Sequence, residues 1–330
     1  MKVTLKNIIV PSIPLAVLLI LSSVGLWVAS DFGARLAAAH SSQSTVVDNM
    51  LSFLSPSALL SSFISLGLTL LNVFLLSQVN NRFTIIRSRT FLPTLIFLLL
   101  MSSMSETHLS NGSNLALTIV ILSLFYLFRM ARDRNASEQA FMGSFLISLG
   151  SIIIQPLIFI IPVCWIGFMM FQSFSLRTFL ASIFGAVAPW IIYITGEAMI
   201  LGKIDVGNIF ILNPVLVLNP ATIPLQGAIY FGTLLAIFIV CTIGMFSLSN
   251  NDAIHTRNKL NFMLLLIISL IILAVIFRGQ FSSFLPIIIL IFSLLVSHPI
   301  TLKQNNFYSI IFIIFCAINI AYIISKFIFI

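Results

Sequence analysis

Four ionisable residues stand where they could do chemistry at a membrane surface: Asp31, Arg35, Glu197 and Arg278. Each follows a long apolar run rather than interrupting one. Asp31 opens the longest early polar stretch, with Arg35 four residues on, a spacing that on a helix gives an ion pair worth about a few tenths of a kcal/mol. A carboxylate in that place can also act as general base or metal ligand toward a lipid-linked donor. Glu197 is the candidate second acid. A guanidinium near an interface can grip a phosphate bidentately, which makes Arg278, with Arg35, the candidate clamp for a lipid phosphate. The plainer readings stay open beside these: an ordinary interfacial pair for Asp31, a snorkelling side chain for Arg278.

The remaining reactive residue types point to no reaction. His40, His108, His255 and His298 are scattered, without the paired spacing of a zinc site. Cys164, Cys241 and Cys316 lie inside apolar runs with no close spacing, which reads as three small buried side chains. The chain contains no Gly-x-Ser-x-Gly elbow, Walker loop or dinucleotide fingerprint. No cofactor is indicated, and the metal dependence of Asp31 is left open.

The elements that must position these residues follow from composition. Of 330 residues, 60% are hydrophobic and 7% charged, against roughly a quarter charged in soluble domains. The bilayer must therefore supply most of the solvent. Apolar runs place eleven helices near 8–29, 58–80, 91–105, 115–129, 140–154, 157–172, 178–195, 228–247, 260–277, 284–297 and 307–325. None of these runs alternates as a barrel strand does, so the expected fold is all-α, a polytopic transmembrane bundle forming one integral membrane domain over 1–330. Lys2 and Lys6 precede a first run too long for a signal-peptide core, which reads as an uncleaved helix.

Charge gives the orientation. Lys2, Lys6, Arg82, Arg87, Arg89, Arg129, Arg132, Arg134, Arg177, Arg257, Lys259 and Lys303 all fall at alternate junctions, leaving Arg35, Lys203, Arg278 and Lys326 elsewhere. By the positive-inside rule the N-terminus is cytoplasmic and the C-terminus outside. The stretches 30–57 and 196–227 then become extracytoplasmic loops, which puts Asp31 and Glu197 outside. This bias accounts for the net charge of +8 without nucleic acid, whose footprint of clustered basic stripes with interleaved aromatics is missing.

Several local features bear on packing. Residues 143–171 are short for two crossings and are broken by Gln155-Pro156, so this hairpin either spans with short helices or is re-entrant. The break reads as a tight turn or as a broken helix lining a substrate groove. Ala181 and Gly185, four apart, permit close helix packing. Asn72, Gln78 and Asn319 are the expected buried amides, to be satisfied by interhelical hydrogen bonds. Ionisable groups are nearly absent mid-span, which argues against proton or sodium coupling.

Asn80-Asn81-Arg82-Phe83, Arg87-Ser88-Arg89-Thr90-Phe91-Leu92-Pro93, the block Phe141 to Pro156 with Trp165, Phe174-Ser175-Leu176-Arg177, and Gly185 through Pro189 carry a resemblance. Over Phe63 to Ile194 the chain resembles an uncharacterised multi-spanning inner-membrane family of Bacteroidota, whose members are often mislabelled carotene-oxygenase-like. Where that family tends to carry an Arg-Glu pair, this chain has Arg177-Thr178. More distantly, the helix layout is similar to C-type membrane glycosyltransferases. That likeness implies a catalytic role for Asp31 alone, since Phe32 stands where those enzymes carry a paired acid.

The resulting expectation is a multi-pass protein of the bacterial inner (cytoplasmic) membrane working in envelope biogenesis. It would act on a polyprenyl-phosphate-linked glycan or another lipid-linked precursor at the outer face, with the lipid bilayer as its surroundings. The alternative is a non-enzymatic membrane scaffold or transport-complex subunit. A channel would need a continuous polar path that this apolar sequence hardly provides.

Overall fold

The computed structural model describes residues 21, 24, 25, 27, 28, 58–88, 90–104, 111–133, 136–201, 225–248, 252–303 and 306–328. They form ten α-helices: α1 (Ala58–Phe83), α2 (Leu92–Ser103), α3 (Asn111–Arg129), α4 (Ser137–Ile153), α5 (Ile161–Met170), α6 (Leu176–Leu201), α7 (Leu225–Leu248), α8 (Ile254–Ile276), α9 (Phe281–Leu302) and α10 (Asn306–Ile328). Short 3-10 segments cover Met130–Arg132, Gln155–Ile160 and Arg278–Gln280, and no strand occurs among the described residues. Seven helices (α1, α3, α6, α7, α8, α9 and α10) are long and apolar enough to cross a membrane. The architecture is thus an all-α bundle of multi-pass type.

Each of these ten helices coincides with one of the eleven expected runs. The remaining run, 8–29, falls mostly outside the described residues, although Leu21, Val24, Gly25, Trp27 and Val28 are helical. Boundaries differ in a consistent direction. α6 continues past 195 to Leu201, α8 begins at Ile254 rather than 260, and α9 continues through His298 and Pro299 to Leu302. Helix hydrogen bonds are internal, so a span does not stop where its apolar run stops. Position 197 is therefore helical rather than part of a loop.

Contacts among the junctions show that the basic ones gather at one end. Lys259 Nζ donates to the carbonyl of Phe83, the last residue of α1, at 3.0 Å and lies 5.3 Å from the centroid of the Phe83 ring. A buried ammonium at a helix C-terminus meets the negative end of the macrodipole there. Asn258 Nδ2 donates to the Met170 carbonyl at the end of α5 (2.8 Å), and Lys303 reaches Ser247. Beneath them, Phe128 packs edge-on against Phe83, Phe171 and Phe262 at centroid distances of 5.5, 6.4 and 6.4 Å. The ends of α1, α3, α5, α7 and α9 and the start of α8 thus share one face, called the basic end below. Thr84 (φ 47°) and Gln172 (φ 58°) turn the chain in the left-handed region after Phe83 and Phe171, the usual way of closing a helix C-terminus.

The core centres on α9, with 89% of its apolar stretch buried, packed against α2, α3, α7, α8 and α10. Beside it, α1, α3, α4 and α6 form a row in which each helix packs on the next. Buried amides hold α1 to α3: Asn72 Nδ2 donates to the Asn114 carbonyl (3.2 Å), and Thr118 Oγ1 donates to Asn72 Oδ1 (2.8 Å). Asn319 is likewise bonded, accepting from the Tyr230 hydroxyl at 2.8 Å. Gln78, expected to be buried, is exposed instead; the buried amide of that helix turn is Asn80, whose Oδ1 accepts from the Ile86 N–H at 3.2 Å.

The tightest crossing in this row is that of α4 and α6. A Cβ on Gly185 would overlap the carbonyl oxygen of Phe141, a backbone atom that cannot yield. Gly185→Ala is expected to destabilise the protein by about 1–3 kcal/mol through overpacking. Gly232→Ala, where a Cβ meets nothing within 4 Å, should be neutral or slightly stabilising. Thermal unfolding of the full chain in detergent checks both. A Gly185→Ala protein as stable as wild type would contradict the close crossing.

Candidate functional site

In the hairpin between α4 and α6, helix breaks and an open groove coincide. Ile153 ends α4, Ile154 is extended (φ −120°, ψ 90°), and Pro156 then lacks the N–H that would continue the helix. The chain turns through 3-10 geometry, with the Leu157 N–H donating to the Ile154 carbonyl at 2.9 Å and the Ile161 N–H to the Ile158 carbonyl. Pro162 falls in the first turn of α5, where a missing donor costs nothing. At 1.5 Å per residue α4 is about 25 Å long. Starting from the basic end, it therefore carries Gln155-Pro156 nearly across a hydrocarbon core of about 30 Å. Both arms of this hairpin are short, one of the two arrangements that the residue count of 143–171 allows.

Between this hairpin and α6 lies a groove of about 570 Å³. Gln155, Ile158, Ile161 and Trp165 form one wall, and Ile183, Val187, Trp190 and Ile194 the other. Both indoles are fixed by their polar edges. Trp165 Nε1 donates to Ser182 Oγ at 2.8 Å, and Trp190 Nε1 to Ser151 Oγ at 3.0 Å. With those donors satisfied, the indoles offer the groove carbon edges and ring faces. The rim lies on the apolar outer surface: Val187 is 46% and Ile191 55% exposed, and α6 as a whole has only 17% of its apolar stretch buried. A groove of this lining is suited to hydrocarbon and opens sideways.

Of the four sequence candidates, one falls at its far mouth by backbone position and a second beside the 155–160 turn, off the groove lining. Glu197 is three residues beyond Ile194 on α6. Arg278 follows Phe277, whose ring stacks on Phe159 of the 155–160 turn (centroids 6.0 Å, 19° between planes). The other two, Asp31 and Arg35, lie outside the described residues.

A second polar constellation sits at the basic end. Asp252, with its side chain 4% exposed, places one carboxylate oxygen 3.2 Å from His298 Nε2 and the other 3.8 Å from the guanidinium of Arg87, which is 62% exposed. The His298 side chain is fully buried, and neither of its ring nitrogens is aligned for a hydrogen bond. His298 and Asp252 are 46 positions apart, and nothing in their sequence spacing suggests a pair. Only the approach of Asp252, just before α8, to α9 pairs them. At the far end, uncharged bonds tie α2, α7 and α10: the Ser103 and Tyr230 hydroxyls are 2.8 Å apart, and Tyr230 stacks on Tyr322 at 4.0 Å.

Among the described residues, no group of three His, Cys, Asp or Glu side chains could hold a metal ion. Cys164 and Cys241 are buried, Cys316 is partly buried, and all three are free thiols. Comparison with family models, curated proteins and solved structures yields no match.

Asp252→Ala removes the carboxylate facing a buried imidazole and should cost about 1–3 kcal/mol of stability. Arg87→Ala, at an exposed partner, should cost less than about 1 kcal/mol. Asp252→Ala combined with His298→Ala should cost less than the sum of the two. Unfolding of the variants in detergent measures this, and strict additivity would show that the pair does not interact.

Proposed function

We propose that this is a bacterial inner-membrane protein of envelope biogenesis that holds a lipid-linked precursor, a polyprenyl-phosphate-linked glycan or a related lipid, at its outer face. The observation that carries the reading is the groove between the 155–170 hairpin and α6: apolar throughout its depth, open along its side, with an amide at its far mouth. A lipid chain that enters such a slot leaves one hydrocarbon environment for another, so it gains packing contacts but no hydrophobic driving force. Selectivity must come instead from the mouth, where the headgroup lies.

In this proposal the basic end faces the cytoplasm, as the positive-inside rule requires, and the mouth faces outward. Arg278, together with Arg35, binds the lipid phosphate, since guanidinium forks match phosphate oxygens. Asp31 serves as general base or metal ligand, and Glu197 as a second acid. The backbone position of residue 197, three residues beyond Ile194, supports the assignment of Glu197. Together these roles make the protein an enzyme of C-type glycosyltransferase kind. The second reading, a non-enzymatic scaffold or transport-complex subunit, draws on the broad exposed face of α6, which a partner helix can cover as well as lipid.

Asp31→Asn and Glu197→Gln keep side-chain size and remove charge. In the enzyme reading Asp31→Asn lowers surface glycan in cells by about a hundredfold or more, the usual scale for removing a general base. Glu197→Gln lowers it less. Surface glycan is measured with protein abundance as the control. Wild-type glycan with normal abundance in Asp31→Asn ends the catalytic assignment and favours the scaffold.

A further inference from the structure

We infer that His298 and Asp252 form a proton-responsive latch at the basic end: a proton taken up by the imidazole draws the Asp252 carboxylate to α9 and weakens its hold on Arg87 in the turn after α1. Nothing in this latch depends on what the groove beside α6 holds.

His298 lies one position beyond the apolar run 284–297, yet it is inside α9, which continues to Leu302. It is thus an ionisable side chain enclosed within a spanning helix, a placement that usually marks function. Imidazole is also the side chain whose ordinary change of charge falls between about pH 5 and pH 8. Among the described residues, the charges that act on it are Asp252, two residues ahead of α8, and Arg87, in the turn between α1 and α2. Of the helices packed on α9, α2 and α7 carry no charged residue. The cation of α3, Arg129, is exposed. On α8, His255 is exposed, Arg257 is half-buried, and Lys259 is given to the Phe83 carbonyl. On α10, the ring of Tyr308 lies beneath Lys303, which reaches Ser247.

The pair is set but not closed. Asp252 Oδ2 is 3.2 Å from His298 Nε2, near enough for a hydrogen bond, but neither atom is aligned for one. A proton on Nε2 supplies a charged donor, and an aligned bond of that kind shortens to about 2.7–2.9 Å. Enclosure opposes the new positive charge and the carboxylate offsets it, so the ring charges only as Asp252 turns to it.

Arg87 then loses on two counts. Its carboxylate partner, already 3.8 Å away, is neutralised by the imidazolium, and the imidazolium repels the guanidinium directly. With 62% of its side chain exposed, Arg87 moves into water at small cost. The start of the same turn stays fixed, because Lys259 holds the Phe83 carbonyl and Asn80 the Ile86 N–H. The release is therefore confined to Arg87 and its neighbour Ser88. In the orientation proposed above this turn faces the cytoplasm, and the latch responds to acidity there.

Amide hydrogen exchange at residues 87 and 88 of the full-length protein in detergent tests the latch. Wild type and Arg87→Gln are compared at the same pH, after correction for their intrinsic rates. At pH 8 the wild type is expected to exchange about two- to fivefold more slowly, the scale of an ion pair with one exposed partner. At pH 5 the two should exchange alike. In a His298→Gln background the difference made by Arg87→Gln should persist at pH 5. Equal exchange of wild type and Arg87→Gln at pH 8 overturns the tie, and a difference that survives at pH 5 in the wild type overturns the proton link. A loss at pH 5 that also occurs in the His298→Gln background overturns the role of His298. Should His298→Gln not fold, ring-nitrogen NMR of the 15N-histidine wild type takes its place. A histidine insensitive to a paramagnetic agent in the water must then titrate together with the loss, and the absence of such a signal overturns the inference.

Discussion

Inside hydrocarbon a backbone amide or carbonyl has no hydrogen-bond partner except the protein itself, and this constraint decides where the bundle can be irregular. Helices satisfy it by themselves. Breaks do not, so a break must be covered. The break at Ile154 to Pro156 sits against α6 and beside Phe277, and its free backbone groups are taken up by 3-10 bonds within the turn. The hairpin's second arm and α6 do not close on each other, and the space between them is the groove. The functional proposal is thus a by-product of how the chain avoids exposing a proline break to lipid.

The same scarcity of partners organises the polar residues. Asn72, Asn114 and Thr118 bond across α1 and α3, Tyr230 and Ser103 across α7 and α2, and Trp165 and Trp190 to serines of neighbouring helices. Each such bond is worth about 0.6 kcal/mol in membrane bundles, too little to drive folding alone but enough to choose among packings of similar apolar faces. Charge is kept to the ends. Lys259 lies at the basic end on the C-terminus of α1, and Asp252 lies there between His298 and Arg87.

Much of this is legible in the chain before folding. Apolar runs locate ten helices because lipid imposes length and composition on each one separately, and the alternation of Arg and Lys foreshadows the gathering of Arg87, Asn258, Lys259 and Lys303 at one end. Gln155-Pro156 announces a break, and Gly185 a close crossing. What is not legible depends on the azimuth of one helix against another. Gln78 and Asn80 are two residues apart, about 200° around the axis, and nothing local says which faces inward. His298 finds Asp252, and Trp165 faces Ile183, only once α9 and α6 take their places. Helix ends are blurred for a simpler reason: α6 and α8 keep their internal bonds past the last apolar residue.

The central claim is that the groove beside α6 holds an isoprenoid lipid. Mass spectrometry of lipids extracted from the purified full-length protein tests it most directly. The account predicts one polyprenyl phosphate or its glycan derivative per wild-type chain, and its loss when Val187 is replaced by tryptophan. A folded, monodisperse wild-type protein that carries no such lipid, or one whose lipid content is unchanged by that replacement, would contradict it.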